Sequence, residues 1–321
     1  MRVIQAALMV VMSGIIGNAA AQNYPNRTIR ILIPSTPGGS VDTIARTVGP
    51  KLAEKWGQQV VVDNRPGAGG AIAAELAAKA APDGYTLIMG TVAAFATNVS
   101  LRKNLPYDPV KDFSPVSLVA TQNLMLLVHP SVPAKSVKEL VALAKKQPGK
   151  LSFASAGNGT GGHLSGELFK MLARIDLLHV PYKGVAPALI DVISGQVSMT
   201  FASILSGNPH YKSGKLRALA VTGGKRSPAV PKLPTMIEAG VKDYESATWY
   251  GLLAPAATPP DIVAKLNAEV AAILKSPEIS DRLSKEGADP VGNTSAEFRK
   301  FIQSEIEKWR EVIKAAGIQP S

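Results

Sequence analysis

Strand-like and helix-like segments alternate along most of this chain, and this alternation constrains its fold more than any other feature. A β-rich apolar run at 28–33 is followed by apolar residues that recur at helical spacing over 41–52. Two further strand patterns, at 59–63 and 85–89, flank an alanine-rich helix pattern at 71–80. Strands that are separated by single helices pair in parallel through right-handed crossovers. The sequence therefore predicts an α/β protein whose ligand lies beyond the carboxyl ends of its strands.

The alternation breaks once and then resumes, which predicts a second domain. Two apolar runs, at 116–119 and 124–128, have no helix between them, and a strand pattern at 249–253 leads back to the first half. Capping-box patterns predict that helices begin after Ser136 and Thr294. In the second half, strands are predicted at 151–155, 177–181, 197–202 and 216–222, and helices at 162–173 and 185–194. The predicted division is 22–123 with 249–321 for domain 1, and 124–248 for domain 2.

Two glycine-rich loops, at 34–42 and 156–162, each connect a predicted strand to a predicted helix. Glycine has no Cβ, so the backbone of such a loop can approach a bound molecule closely. The first turn of a helix also offers unpaired N–H groups and partial positive charge. Each loop is therefore either a tight turn or one half of a site for a carboxylate or phosphate. Two half-sites that face each other would hold both ends of a small anion. A third glycine-rich turn, at 65–70, also leads into a helix.

The N-terminal segment, residues 1–21, has the pattern of a secretory signal peptide. A basic start is followed by a mostly apolar run over 3–16 and by three alanines, with cleavage expected between Ala21 and Gln22. No later run is long enough to span a membrane. The chain has no cysteine, so it has no residue for a lipid anchor, a disulfide or a thiolate metal site. We therefore expect an exported, periplasmic protein that is not lipid-anchored.

The formal net charge of the chain is +11 at pH 7. Lysine and arginine are scattered, and no basic run is interleaved with aromatic residues, so we expect no nucleic-acid partner. The charge is either a general field that favours small anionic molecules or simply a basic surface.

No catalytic or metal-binding motif accompanies the glycine-rich loops. The four histidines lack metal-ligand spacing, so no metal site is expected. Ser40 and Ser155 do not lie in a Gly-x-Ser-x-Gly elbow. The loop at 34–42 lacks the Gly-Lys-Ser/Thr ending of a nucleotide-binding P-loop. We therefore expect a binding protein that is not an enzyme and has no cofactor.

Several single residues near the predicted loops have two interpretations. His163 either hydrogen-bonds a ligand carboxylate, which would make capture depend on pH, or is a solvated first-turn histidine; the second interpretation is favoured. His129 and His179 flank apolar strands and are interpreted as structural. Tyr182 and Lys183 begin a strand-to-helix loop that lines either the rim of a cleft or an interdomain surface.

A series of short motifs runs in order along nearly the whole mature chain. They include Tyr24-Pro25, Pro37-Gly-Gly39, Asn64-Arg-Pro-Gly-Ala-Gly-Gly70, Pro82-Asp-Gly-Tyr-Thr-Leu87, Val180-Pro-Tyr-Lys-Gly184, Leu216-Arg-Ala-Leu-Ala-Val-Thr222 and Ala254-Pro255. The series resembles the Bug family of periplasmic solute-binding proteins, which are associated with tripartite tricarboxylate transporters. The resemblance implies a two-domain, Venus-flytrap periplasmic binding fold, type II-like, with two crossing strands.

The resemblance also implies a ligand and a set of residues that bind it. Members of the family typically hold a small carboxylate between the domains through backbone and hydroxyl groups. The matching positions are Pro37, Gly38, Gly39, Ser40, Asp42, Thr91 and Ala93 on domain 1, and Ser155, Ala156, Gly157, Thr160 and Gly161 on domain 2, with His163 beside them. Many relatives have an acidic residue after the strand that ends here at Phe201, whereas this chain has Ala202 and Ser203. An amino-acid ligand is therefore less expected.

The resemblance finally implies partners. The bound organic acid would be delivered to the membrane subunits of a tripartite transporter. Alternatively, the loaded protein would dock on the periplasmic domain of a two-component sensor kinase. We expect a monomer in either case.

Overall fold

The computed structural model describes residues 24–320. The predicted signal peptide and its cleavage site lie outside these residues. Within the described range, no helix is both long enough and apolar enough to cross a lipid bilayer.

Ten strands and ten α-helices make up the described chain. The strands are β1 (Ile29–Ile33), β2 (Val60–Asn64), β3 (Thr86–Thr91), β4 (Phe113–Val128), β5 (Ser152–Ser155), β6 (Leu178–Pro181), β7 (Met199–Ser203), β8 (Arg217–Val221), β9 (Ala247–Pro255) and β10 (Ala288–Pro290). The helices are α1 (Ser40–Trp56), α2 (Ala71–Ala78), α3 (Asn98–Leu101), α4 (Val137–Lys146), α5 (Gly161–Ala173), α6 (Val185–Ile193), α7 (Ile204–Lys212), α8 (Pro260–Lys275), α9 (Pro277–Lys285) and α10 (Ser295–Ala315). A 3₁₀ turn (Ala68–Gly70) precedes α2, and a π-helical turn (Ala93–Thr97) follows β3.

Strand β4 runs through both parts of one continuous sheet, whose order is β2-β1-β3-β9-β4-β7-β5-β6. Residues 113–123 of β4 pair with β9, and part of this segment also pairs with β10. Residues 124–128 of the same strand pair with β7 and β8. We call the part with β1, β2, β3, β9 and β10 lobe 1, and the part with β5, β6, β7 and β8 lobe 2.

The pairing within each lobe confirms the parallel arrangement that the alternation predicts. Strand β1 pairs in parallel with β2 and β3 in lobe 1. Strand β5 pairs in parallel with β6 and β7 in lobe 2. The carboxyl ends of these strands therefore lead into the loops before α1, α2, α5 and α6.

Both faces of the sheet are covered by apolar layers, as expected for buried parallel strands. In β1, Ile31 packs with α1 and α8 residues on one face, while Leu32 packs with α2 and α10 residues on the other. In β4, Leu126 and Leu127 divide in the same way between the two cores of lobe 2. Full burial of such a side chain contributes about 1.5–3 kcal/mol relative to leaving it exposed.

The structure differs from the sequence prediction at several elements. Helix α7 and strand β10 are not predicted; Gly207 and Pro209 weaken the helical pattern of α7, although the Ser203 side chain caps it by accepting a hydrogen bond from Ser206 N (3.2 Å). The two apolar runs at 116–119 and 124–128 belong to one 16-residue strand. The polar residues between the runs interrupt the apolar pattern, so the sequence predicts two separate strands. The capping box predicted at Thr294 is confirmed in full.

Candidate functional site: a cleft between two lobes

A cleft of about 260 Å³ lies between the two lobes. Lobe 1 contributes residues from the loops after β1, β2 and β3, within 34–41, 66–70 and 91–93. Lobe 2 contributes residues within 156–162, 182–188 and 200–206. Leu124 of β4, with Thr248 and Tyr250 of β9, completes the lining. The loops that line the cleft follow the carboxyl ends of strands, as the α/β rule predicts.

Five α-helices of the described residues begin at this cleft, and four of them lack a side-chain cap, the exception being α7 with Ser203. The N-cap residues of α1, α2, α5 and α6 are Gly39, Gly70, Thr160 and Gly184; all four line the cleft, and none makes a side-chain cap hydrogen bond. By contrast, Thr294 caps α10 with its own side chain. Uncapped first-turn N–H groups need another partner, and each helix dipole adds roughly half a positive charge. The cleft is therefore suited to an anion.

Side-chain charge is nearly absent from the described residues that line the cleft. Lys183 is the one charged side chain among them, and they include no Asp or Glu. The other polar side chains are hydroxyls: Ser35, Thr36, Ser40, Thr91, Thr160, Tyr182, Thr200, Ser203, Ser206, Thr248 and Tyr250. The cleft therefore offers N–H and O–H donors together with apolar surface, and it has no carboxylate to receive an ammonium group.

Hydrogen bonds between residues in the range 24–320 connect the two lobes, and two of them lie at or near the cleft. Ser40 Oγ of lobe 1 donates to Ser203 Oγ of lobe 2 over 2.7 Å, and both residues line the cleft. Thr97 Oγ1 donates to the carbonyl oxygen of Gly159 over 2.8 Å. The lobes thus meet directly beside the cleft.

Asp42 supports the first loop without lining the cleft. Its carboxylate accepts hydrogen bonds from Gly38 N, Arg46 Nε and Asn64 Nδ2, each at 3.0 Å. Burial opposes ionisation, but these hydrogen bonds outweigh it and hold the pKa of Asp42 below its usual range. Asp42 therefore stays ionised and fixes the backbone from which α1 begins.

The second glycine-rich loop, at 156–162, is supported by Ser155, His163 and His179, none of which lines the cleft. Ser155 Oγ lies 2.7 Å from His179 Nε2 and accepts a hydrogen bond from Gly157 N. His163 Nδ1 accepts a hydrogen bond from Gly159 N over 3.0 Å, and its ring stacks on that of His179 with centroids 4.0 Å apart. The favoured interpretation of His163 as solvated is wrong, because the residue is only 4% exposed. It forms part of the scaffold of the loop.

The environment of this stack keeps both imidazoles neutral. Burial, reinforced by the nearby Lys170 ammonium, lowers the pKa of His163 to about 4. Burial, with His163 and Lys170 as further causes, lowers the pKa of His179 to about 3. A neutral His163 can accept the Gly159 N–H, so the loop geometry depends on this protonation state.

The predicted site residues divide into two groups. Those that line the cleft are Gly39, Ser40, Thr91, Ala93, Ala156, Gly157, Thr160 and Gly161. Those that lie outside the lining are Pro37, Gly38, Asp42, Ser155 and His163. The structure therefore brings both predicted loops to one cleft, and direct ligand contact remains a prediction for each residue.

Several residues of the lining are absent from the sequence-based set. The turn at 66–70 lines the cleft, and the positive φ angles of Gly67, Gly69 and Gly70 (119°, 62° and 88°) explain its glycines. These glycines are visible in the sequence, and they could have identified the turn at 66–70 as part of the cleft. No sequence pattern identifies Thr248 and Tyr250 as lining residues, because they reach the cleft through the pairing of β9 with strands that are distant in sequence.

This fold and cleft define a class: a two-lobed periplasmic solute-binding protein. The model of the tripartite tricarboxylate transporter family receptor, TctC, matches residues 44–318. The chain therefore belongs to the family of tripartite tricarboxylate transporter receptors, which are periplasmic solute-binding proteins.

Three solved structures are similar in both sequence and shape. Rpa4515 of R. palustris, solved with adipate, is 40% identical with a TM-score of 0.91, and the match covers 93% of this chain and 100% of that chain. The periplasmic binding protein BugD is 35% identical with a TM-score of 0.87 and coverages of 93% and 100%. MatC of Rhodopseudomonas palustris, with bound malate, is 35% identical with a TM-score of 0.84 and coverages of 90% and 100%. The predicted Bug-type family and periplasmic binding fold are confirmed.

Proposed function

We propose that this protein captures a small organic carboxylate in its interdomain cleft and delivers it, chemically unchanged, to the membrane subunits of a tripartite tricarboxylate transporter. The observation that carries the proposal is the start of four uncapped helices at one cleft whose lining contains no acidic side chain. The related structures with adipate and malate support the same ligand class, since both ligands are dicarboxylates.

Recognition rests mainly on the backbone. The first turn of α1 presents N–H groups from lobe 1, and those of α5 and α6 present them from lobe 2, whereas Ala71 N at the start of α2 already donates to Ala68 O. A hydrogen bond to a charged group contributes about 1.5–3 kcal/mol net, so a few of them suffice for micromolar affinity once the cost of binding is met. Burial of the ligand between the lobes strengthens each bond by excluding water.

Closure couples binding to delivery. Between Asn123 and Leu124, the pairing of β4 passes from β9 in lobe 1 to β7 in lobe 2. Ser246 N donates to Thr222 O at the end of lobe 2, and Ala247 then begins β9. We propose that the hinge lies at these two crossings and that the domains are 22–123 with 249–321, and 124–248. Contacts that exist only when both lobes touch the ligand favour the closed form that a transporter recognises.

Catalysis is not part of the proposal. Ser155 is hydrogen-bonded to His179, but it is 2% exposed and lies outside the lining of the cleft, so its hydroxyl does not face the ligand. The described residues contain no cluster of His, Cys, Asp and Glu that could hold a metal ion. We further propose that residues 1–21 export the chain and that it works unanchored as a monomer. The alternative function is that the loaded protein docks on the periplasmic domain of a two-component sensor kinase.

Calorimetry with a panel of mono-, di- and tricarboxylates tests this function. The protein is first unfolded and refolded to remove ligand acquired during expression. We expect micromolar or tighter binding of at least one carboxylate, and recovery of that carboxylate unchanged after prolonged incubation. Absence of binding across the panel would refute the proposal, and conversion of the ligand would refute binding without catalysis.

A further inference from the structure

Lys183 is an isolated charge in a neutral cleft. It is the one charged side chain among the described lining residues, and no carboxylate within residues 24–320 forms an ion pair with it. The hydroxyls and backbone N–H groups around it serve as donors without carrying a full charge. A cation that lacks a protein partner and borders a ligand cleft is available to an anionic group of the ligand.

The backbone on the N-terminal side of Lys183 is held firmly. Tyr182 N donates to Ser155 O over 3.0 Å, which ties the residue to the end of β5. The Tyr182 hydroxyl donates to Asp191 Oδ2 over 2.5 Å, and Asp191 is the first acidic residue after Lys183 in the sequence. The position of Lys183 is therefore fixed although its side chain is exposed.

On the C-terminal side, Gly184 places Lys183 where the two lobes meet. Gly184 has a φ of +149°, which favours glycine, and it is the N-cap of α6. A Cβ built on Gly184 would lie 2.9 Å from Thr36 Oγ1 of lobe 1, so the loop of Lys183 abuts the first glycine-rich loop. Lys183 therefore lies directly before the N-cap of α6, at the junction of the two lobes.

We propose that Lys183 pairs with a second carboxylate of the ligand and makes the cleft selective for dianions over monoanions. The inference rests on the proposed function and adds the charge class of the ligand to it. A ligand with one carboxylate at the start of α1 and another beside α6 satisfies the helix N-termini of both lobes and the Lys183 ammonium. A monocarboxylate of the same length leaves Lys183 facing an apolar chain end. A ligand with an amino group meets a cation and no acid.

The test compares ligands of equal length and unequal charge: adipate with hexanoate, and succinate with butyrate. Binding is measured by calorimetry for the native sequence, Lys183→Gln, Lys183→Arg and Lys150→Gln. Lys150 is an exposed lysine of lobe 2 outside the cleft lining, so its variant changes the net charge equally. Thermal melts establish that each variant is folded.

We expect the native protein to bind one dicarboxylate at least tenfold more tightly than its monocarboxylate partner. Lys183→Gln should weaken dicarboxylate binding about tenfold, leave any monocarboxylate binding within twofold, and reduce the salt dependence of dicarboxylate affinity. Lys183→Arg should retain most of the affinity, and Lys150→Gln should match the native protein.

Three outcomes would overturn the inference. Lys183→Gln binds the dicarboxylate as tightly as the native protein, it weakens both members of a pair equally, or the native protein prefers the monocarboxylate. In each of these, the proposed carboxylate-binding function stands. If the native protein binds none of the four acids or the wider panel, the function itself fails, and the inference fails with it.

Discussion

Ser40 on lobe 1 donates a hydrogen bond to Ser203 on lobe 2, with the two hydroxyl oxygens 2.7 Å apart. Ser40 is the first residue of α1, and Ser203 is the N-cap of α7. The contact therefore joins the start of one cleft helix to the start of a second helix across the lobe boundary. We propose that this contact breaks when the lobes separate, so that ligand affinity and closure are linked through this pair.

Replacing Ser40 by alanine should weaken ligand binding about two- to tenfold, because one hydrogen bond contributes about 0.5–1.5 kcal/mol to the closed form. The melting temperature should change little. Ser203→Ala should also lower the melting temperature, since it removes the cap of α7, which contributes about 1 kcal/mol. Calorimetry and thermal unfolding of the two single variants and the double variant separate the effects. Additive losses of affinity in the double variant would contradict a direct link between the two hydroxyls.

Gly161→Ala should hinder closure while sparing each lobe. A Cβ on Gly161 of lobe 2 would lie 3.1 Å from Thr248 Cβ on β9, beside the second crossing, which is tighter than an ordinary contact. We expect a loss of affinity of about tenfold and a larger radius of gyration at saturating ligand. Gly49→Ala is the matched control, since it lies within α1, where an added Cβ would make only an ordinary 3.4 Å contact with Val60. Equal affinities for the two variants would refute this role.

Asp42 should matter more for binding than Arg65. Asp42→Ala leaves Gly38 N without its acceptor, removes one of the two acceptors of the Asn64 amide and frees the first loop, so we expect at least tenfold weaker binding. Arg65 lies outside the cleft lining and pairs with Asp63 on the surface, so Arg65→Ala should keep the affinity within twofold. If Arg65→Ala abolished binding while Asp42→Ala preserved it, recognition through the backbone would be wrong.

The histidine stack should make stability depend on pH. Burial lowers the pKa of His163 to about 4 and that of His179 to about 3, whereas both are near 6.5 in an unfolded chain. The unfolded state therefore binds more protons below pH 6.5, so the stabilisation is complete above that pH and is lost as the pH falls toward 4.

The groups near the stack are Lys170, which opposes its protonation, and Glu167, whose Oε1 lies 3.9 Å from His163 Nε2 and 3.1 Å from Lys170 Nζ. His179→Phe keeps a ring for stacking and removes one titrating group. Melting temperatures between pH 7.5 and 4.5 should fall less steeply for this variant than for the native protein. If the melting temperatures of the variant and of the native protein fell equally between pH 7.5 and 4.5, the stack would not be the cause of the loss of stability in acid.

The sequence predicts those parts of the structure that local pattern determines. The parallel strands, the start of α1 at Ser40 and the capping box at Thr294 follow from periodicity and capping chemistry within a few residues. The two glycine-rich loops of the cleft were found because close backbone approach requires glycine.

Other parts depend on residues that are distant in sequence. Tyr250 reaches the cleft only because β9 pairs with β3 and β4, which come from far earlier in the chain. His163 is buried because His179, on a separate strand, stacks against it. Neither relationship leaves a local pattern that one sequence alone reveals.

The central claim is that backbone N–H groups at helix starts hold a carboxylate inside the closed cleft. A crystal structure of the protein with its tightest-binding carboxylate tests this most directly. We predict ligand oxygens within about 3.2 Å of first-turn N–H groups of α1 in lobe 1 and of α5 or α6 in lobe 2. A ligand bound elsewhere, or held in the cleft by side chains alone, would contradict the account.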